Sequence, residues 1–225
     1  MAATLAISQT STNNAKVCYQ TPPTTKALRS PEGIAFDAKG NLWIADADSH
    51  RVLEYTPPFS TGMAATMELG QPAATAFTSG SSDGPSATSL AAPVALTFDP
   101  SGNLWVADYG FNRVLKYAPP FTNGMAAESV LGQADFTHGD ENQGRTGPAA
   151  DTLSGPWGLA FDSGGNLNVT ERGNSRVLLF APLLSNGMSA SAVIGQTDFS
   201  AGAQNRGSDS PTANSLGQLF SLSAF

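Results

Sequence analysis

Short apolar runs separated by turn-forming polar clusters fill this chain, and they come in sets of four. Gly33-Ile-Ala-Phe-Asp37, Leu42-Trp-Ile-Ala-Asp46 and Arg51-Val-Leu-Glu-Tyr55 read as three short strands, and Met63–Gln71 as a fourth, ending at Gly70-Gln71. Their residues suit a pleated sheet. Asp37-Ala-Lys-Gly-Asn41 joins the first two runs through a tight turn, in which Gly accepts the left-handed backbone cheaply. Pro57-Pro58 ends the third run, because proline cannot donate to a ladder.

The set repeats. Overlaying Phe36, Phe98 and Phe161 gives offsets of 62 and 63 (36 to 98, 98 to 161), and Asp46, Asp108 and Glu171 fall into the same register. So do Arg51, Arg113 and Arg176, and the Gly-Gln pairs 70–71, 132–133 and 195–196. Self-similarity held over a whole period marks a repeat architecture. Units of about 31–71, 93–133 and 156–196 follow, joined by long connectors at 72–92 and 134–155. Segment 1–9 aligns with the fourth run of a unit, and 216–225 with the beginning of another. Inner runs apolar on both faces predict sheets buried between similar sheets, an all-β β-propeller of four-stranded blades. A sandwich is the competing arrangement, but sandwiches do not repeat at a fixed period. About three blades with partial flanking blades cannot close a ring. The expectation is therefore a segment of a longer propeller, poorly stable alone because its end blades expose apolar edges.

The run Gly40-Asn-Leu-Trp-Ile-Ala-Asp46, with its flanking Gly-Ile-Ala-Phe-Asp37 and Arg51-Val-Leu-Glu-Tyr55, resembles the NHL repeat. The likeness recurs over Pro31–Tyr55, Pro93–Tyr117 and Pro156–Phe180; the third copy departs from it at Asn168, Thr170 and Glu171. The resemblance implies a propeller of usually six blades that serves as a binding or interaction scaffold. Its long connectors look like those of bacterial extracellular or periplasmic members, which sets the expected location.

Composition narrows the chemistry. With 11 basic and 18 acidic residues the net charge is -7, which disfavours nucleic acid as a partner. No apolar run approaches the roughly 18 residues of a membrane span. Cys18 alone cannot form an internal disulfide. Amidating lyases that share the NHL propeller depend on histidine ligands, and this chain has only His50 and His138. No catalytic residue, metal ligand or cofactor is assigned. Calcium at the oxygen-rich stretch Asp135–Asn142 is the remaining alternative, although the stretch lacks the terminal bidentate Glu of an EF-hand.

The acid and arginine pairs Asp46–Arg51, Asp108–Arg113 and Glu171–Arg176 each flank a four-residue loop, and their repetition marks them as structural. Residues that differ between copies are the better binding candidates. In those loops they are Asp48, His50, Tyr109, Phe111 and Arg172. Trp43 and Trp105 are expected to pack between blades; Trp157, standing where Glu32 and Val94 stand, has no such equivalent. The leading expectation is a scaffold that binds a protein, peptide or glycan through its loop face, beside the remaining blades of a longer chain. The alternative is part of a propeller hydrolase or lyase, lactonase-like or amidating-lyase-like, with catalytic residues outside this segment.

Overall fold

The structure is a computed structural model that describes residues 5–7, 23–71 and 84–217. Cys18 and the end of the 216–225 segment lie outside these residues. The first sheet comprises β1 (Pro31–Phe36), β2 (Leu42–Asp46), β3 (Arg51–Tyr55) and β4 (Met67–Leu69). The second comprises β5 (Pro93–Phe98), β6 (Leu104–Asp108), β7 (Arg113–Tyr117) and β8 (Ser129–Leu131). The third comprises β9 (Pro156–Phe161), β10 (Leu167–Glu171), β11 (Arg176–Phe180) and β12 (Ala192–Ile194). Within each sheet the strands are neighbours in chain order and pair antiparallel. These are propeller blades. The fourth strand has only three residues, shorter than the Met63–Gln71 run suggests, because Gly70 turns away with φ 97°.

First strands lie against first strands, β1 beside β5 and β5 beside β9, so consecutive blades stack face to face. One core is shared by the first and second blades and contains Trp43, Val52, Leu69, Leu104 and Val106. A second core, between the second and third blades, contains Trp105, Val114, Leu131, Leu153 and Val169. Burying both faces explains why β2 and β6 are buried at every position. Trp43 meets Phe98 and Phe121 of the next blade edge-on, with ring centroids 5.9 and 4.9 Å away, and Trp105 meets Phe161 at 6.0 Å. The indole N–H groups donate to Asp37 and Asp99 of the preceding turns, so neither buried ring leaves its polar atom unsatisfied.

Each blade also hooks the one before it. Asn123 Oδ1 accepts from the Glu68 N–H at 2.9 Å, while the Gly124 N–H donates to the Glu68 carbonyl at 3.0 Å. Asn186 and Gly187 repeat both bonds on Val130, at 2.9 and 3.0 Å. The hook turns satisfy backbone groups on the outer strand that a bare sheet edge would expose. Ala6 receives an equivalent hook from Gly62, whose N–H donates to its carbonyl at 3.0 Å. No described helix is long and apolar enough to cross a membrane.

Candidate functional site

The repeated charges come first, since they determine which residues remain for binding. Arg51, Arg113 and Arg176 are fully buried, as are Asp46, Asp108 and Glu171. Nε of Arg51 donates to Asp46 at 3.0 Å and that of Arg113 to Asp108 at 2.8 Å; Arg176 and Glu171 pair the same way. The remaining guanidinium N–H groups reach outward to the connectors. Those of Arg113 donate to the carbonyls of Ser86 (3.1 Å), Ser89 (2.9 Å) and Phe136 (2.8 Å). Arg176 does the same to Ala149, Thr152 and Phe199, at 2.9, 3.1 and 2.6 Å. The other acid oxygen takes a connector N–H: Ala91 to Asp108 at 2.6 Å, and Ser154 to Glu171 at 2.8 Å. The second and third pairs therefore pin the connectors entering and leaving their blades, and Arg51 holds the segment entering the first through the carbonyls of Thr24 and Ala27; each acid is bonded through one arginine nitrogen rather than two.

Burial pushes the Asp108 carboxyl up to about 6 and raises that of Glu171, in both cases against the pull of the neighbouring arginine. The Gly-Gln pairs complete the pins. Gln133 Nε2 donates to the carbonyls of Asn112 (3.0 Å) and Asp140 (2.8 Å), tying loop to connector, and Gln196 does so with Ser175 (3.0 Å) and Ala203 (2.9 Å). The preceding glycines have φ of 97°, 86° and 91° at 70, 132 and 195. A Cβ on Gly132 would lie 2.5 Å from Leu153, so the position needs glycine on both counts.

With those groups committed, the variable tips can be placed. The loops between second and third strands form a single 3-10 turn in the first two blades and a plain turn in the third, each closed by a left-handed residue: His50, Asn112 or Ser175. His50 Nδ1 accepts from the Ala92 N–H at 3.0 Å, and Asn112 Oδ1 accepts from Gly155 at 2.9 Å, so both position the next connector. Asp48 is exposed on the first loop. Phe111 lies over the buried guanidinium of Arg113, 5.0 Å from ring centre to Cζ. Tyr109 and Arg172, from the second and third blades, are the two candidates brought together.

They line one pocket of about 520 Å³ with Glu141, Ser154, Ser175 and Gln204. Trp157 stands between them: its ring meets Tyr109 edge-on at 5.3 Å and 84°, and the Arg172 guanidinium lies over it at 5.1 Å. Ser154 Oγ donates to Glu141 at 2.6 Å, and behind it Asn174 Nδ2 donates to Asn142 (2.9 Å) and Glu171 (2.8 Å), which makes the floor rigid. Glu141 and Gln204, in the connectors, were missed by reading the loops alone. Overlaying 133–154 on 196–217 at the same offset of 63 finds them, since they occupy one position with different residues.

Asp135 accepts from the Thr137 N–H (2.8 Å), the Thr137 hydroxyl (2.7 Å) and His138 (2.7 Å), bonds that lower its pKa to about 2. Among the described residues no group of three or more His, Cys, Asp or Glu side chains could hold a metal ion.

The family model described as NHL repeat matches residues 28–55 and 153–180. The chain carries NHL repeats. The matched NHL segments cover the first three strands of the first and third blades, and the second blade has the same strands in the same register. Solved structures similar to it include a streptogramin B lyase, 14% identical with a TM-score of 0.42, covering 72% of this chain and 39% of that one. Virginiamycin B lyase from Staphylococcus aureus is 16% identical at a TM-score of 0.41, covering 81% and 52%. A candidate 6-phosphogluconolactonase from Bacteroides uniformis is 16% identical at 0.44, covering 71% and 39%. The chain thus spans about half or less of the length of these structures. No curated protein matches it.

Proposed function

We propose that this protein is an NHL propeller scaffold that binds a protein, peptide or glycan in the pocket between its second and third blades. The observation that carries this reading is a division of labour. Residues repeated in every blade are consumed in pinning connectors, whereas the pocket is lined by residues that differ between blades: Tyr109, Glu141, Arg172 and Gln204. A pocket of about 520 Å³ with an aromatic ring and a few convergent polar groups falls in the range that small ligands and ligand ends occupy. Buried, paired arginines and a net charge of -7 weigh against nucleic acid. We also place the protein outside the cytoplasm, a reading that cell fractionation checks.

Peptide and glycan arrays probed with the labelled protein test the site. Binding should survive Asp48→Ala, on the exposed first loop, and fall with Tyr109→Ala and with Arg172→Ala. Hits indifferent to both pocket variants would refute the site. Hits that the protein converts to product would favour the propeller hydrolase or lyase alternative, with the reacting groups elsewhere.

A further inference from the structure

We propose that the pocket binds a neutral sugar unit through polar groups the fold leaves uncommitted, a refinement that rests on reading this pocket as the ligand site. Several polar groups of the lining are already spent. Ser154 donates to Glu141, Asn112 bonds Gly155 and Gly139, and Arg172 has partners of its own. Four groups remain without a partner among the described residues: the hydroxyls of Tyr109 and Ser175, the Gln204 amide and the second carboxylate oxygen of Glu141. Ser175 says the most. It is only 3% exposed, yet it lines the pocket and its hydroxyl bonds no described residue. Buried polar groups are almost always bonded, so its partner is to come from the pocket side.

The chemistry of these four groups matches a row of hydroxyls. The two hydroxyls both donate and accept, the amide does so through separate atoms, and the carboxylate oxygen accepts. Neighbouring hydroxyls on a sugar ring offer donors and acceptors at the same close spacing, and each rotates to suit its partner. Not one lining residue is aliphatic, and Tyr109, which meets Trp157 edge-on at 5.3 Å, supplies aromatic surface for the C–H groups of a pyranose. Peptide modules rely on apolar side-chain pockets or an open strand edge, and neither is present in this lining.

Charge selects a neutral ligand. Glu141 and Arg172 are the charged side chains of the lining, and they are of opposite sign. An ionic ligand of either sign is attracted by one, repelled by the other, and still gives up its hydration. A neutral one is spared that loss. With about 520 Å³ the pocket has room for the end of a short oligosaccharide.

Trp157, which touches Tyr109, provides the readout, being partly exposed whereas Trp43 and Trp105 are buried. The full chain is titrated with maltotriose, cellotriose, mannotriose and chitotriose, following tryptophan emission; permethylated forms, trigalacturonate, tetraalanine and an acidic tetrapeptide are the controls. At least one neutral trisaccharide should give a saturable change that disappears in Trp157→Phe. Its affinity should fall about 3- to 10-fold in Ser175→Ala and in Gln204→Ala, and about 10-fold or more in Glu141→Ala, where a charged acceptor is lost. It should hold within about 2-fold between about 50 and about 500 mM NaCl, because the ligand has no charge to screen. Circular dichroism confirms that each variant is folded. Tighter binding of trigalacturonate, or an affinity that falls with salt, overturns the neutral assignment. Undiminished binding of the permethylated form, or indifference to all three variants, overturns the hydroxyl contacts. Binding of either tetrapeptide without any trisaccharide overturns the sugar assignment. Silence of every trisaccharide beside array hits that depend on Tyr109 overturns this proposal and spares the pocket; the absence of any pocket-dependent hit overturns both.

Discussion

Replacing Arg113 with methionine should remove a large share of the stability of the protein, because the fully buried guanidinium bonds four partners at once. Methionine fills much of the arginine stem's volume but returns nothing to Asp108, Ser86, Ser89 or Phe136. Removing one partner of a buried ion pair costs about 3–5 kcal/mol, most of it the penalty of an uncompensated buried charge. The three orphaned carbonyls lie nearer the surface, where water replaces part of what is lost, so the total stays near that range. For a chain of this size, about 3–5 kcal/mol corresponds to a fall in Tm of roughly 6–20 °C. Urea unfolding followed by tryptophan fluorescence measures it, provided the m-value is unchanged. Asp108→Asn combined with Arg113→Met should cost less than the sum of the two by at least about 1.5 kcal/mol, since the amide needs no counter-charge. The deficit should also shrink on acidification. Without the arginine the folded-state pKa of Asp108 rises further above its unfolded value, so the native state binds the proton first and gains stability as pH falls. A loss below about 1 kcal/mol, or strict additivity in the cycle, would refute the pinning role.

Gly132→Ala should destabilise by about 2–3 kcal/mol, since φ is 86° and the new methyl would meet Leu153 at 2.5 Å; calorimetry showing an unchanged Tm would contradict this. Glu68 occupies the place of Val130 and Val193, is buried beside Arg51, and burial raises its carboxyl from 4.5 to about 7 despite that arginine. Between those pH values the native state keeps a proton the unfolded chain has released. Stability should therefore fall by about 1–3 kcal/mol as pH rises through that window, and Glu68→Gln should flatten the slope in a urea series against pH. An identical slope in the variant would exclude Glu68 as its source.

Blade architecture was legible because strands are local: short apolar runs such as Leu42-Trp-Ile-Ala-Asp46 and the glycine-containing turns beside them recur in each copy and set both period and register. The acid and arginine pairs were legible for the same reason, being five residues apart. What those arginines do beyond the pair was not. The carbonyls bonded by Arg113 lie 23, 24 and 27 residues away, in connectors without a hydrophobic pattern to place them. The same distance hid the Gly-Gln role, where one amide joins a loop 21 residues back to a connector seven residues ahead. Of five binding candidates, Tyr109 and Arg172 meet in the pocket, His50 holds Ala92 and Phe111 covers Arg113, because a variable residue at a loop tip can serve the fold as readily as a ligand. Trp157 gained its meaning only when β9 was set beside the loop of the second blade.

Hydrogen exchange read by mass spectrometry on Arg113→Met and Arg172→Ala tests the division between building and binding residues most directly. Connector 134–155 should lose protection in the first variant and keep it in the second, while only the second should lose ligand. Equal deprotection in both, or none in Arg113→Met, would contradict the account.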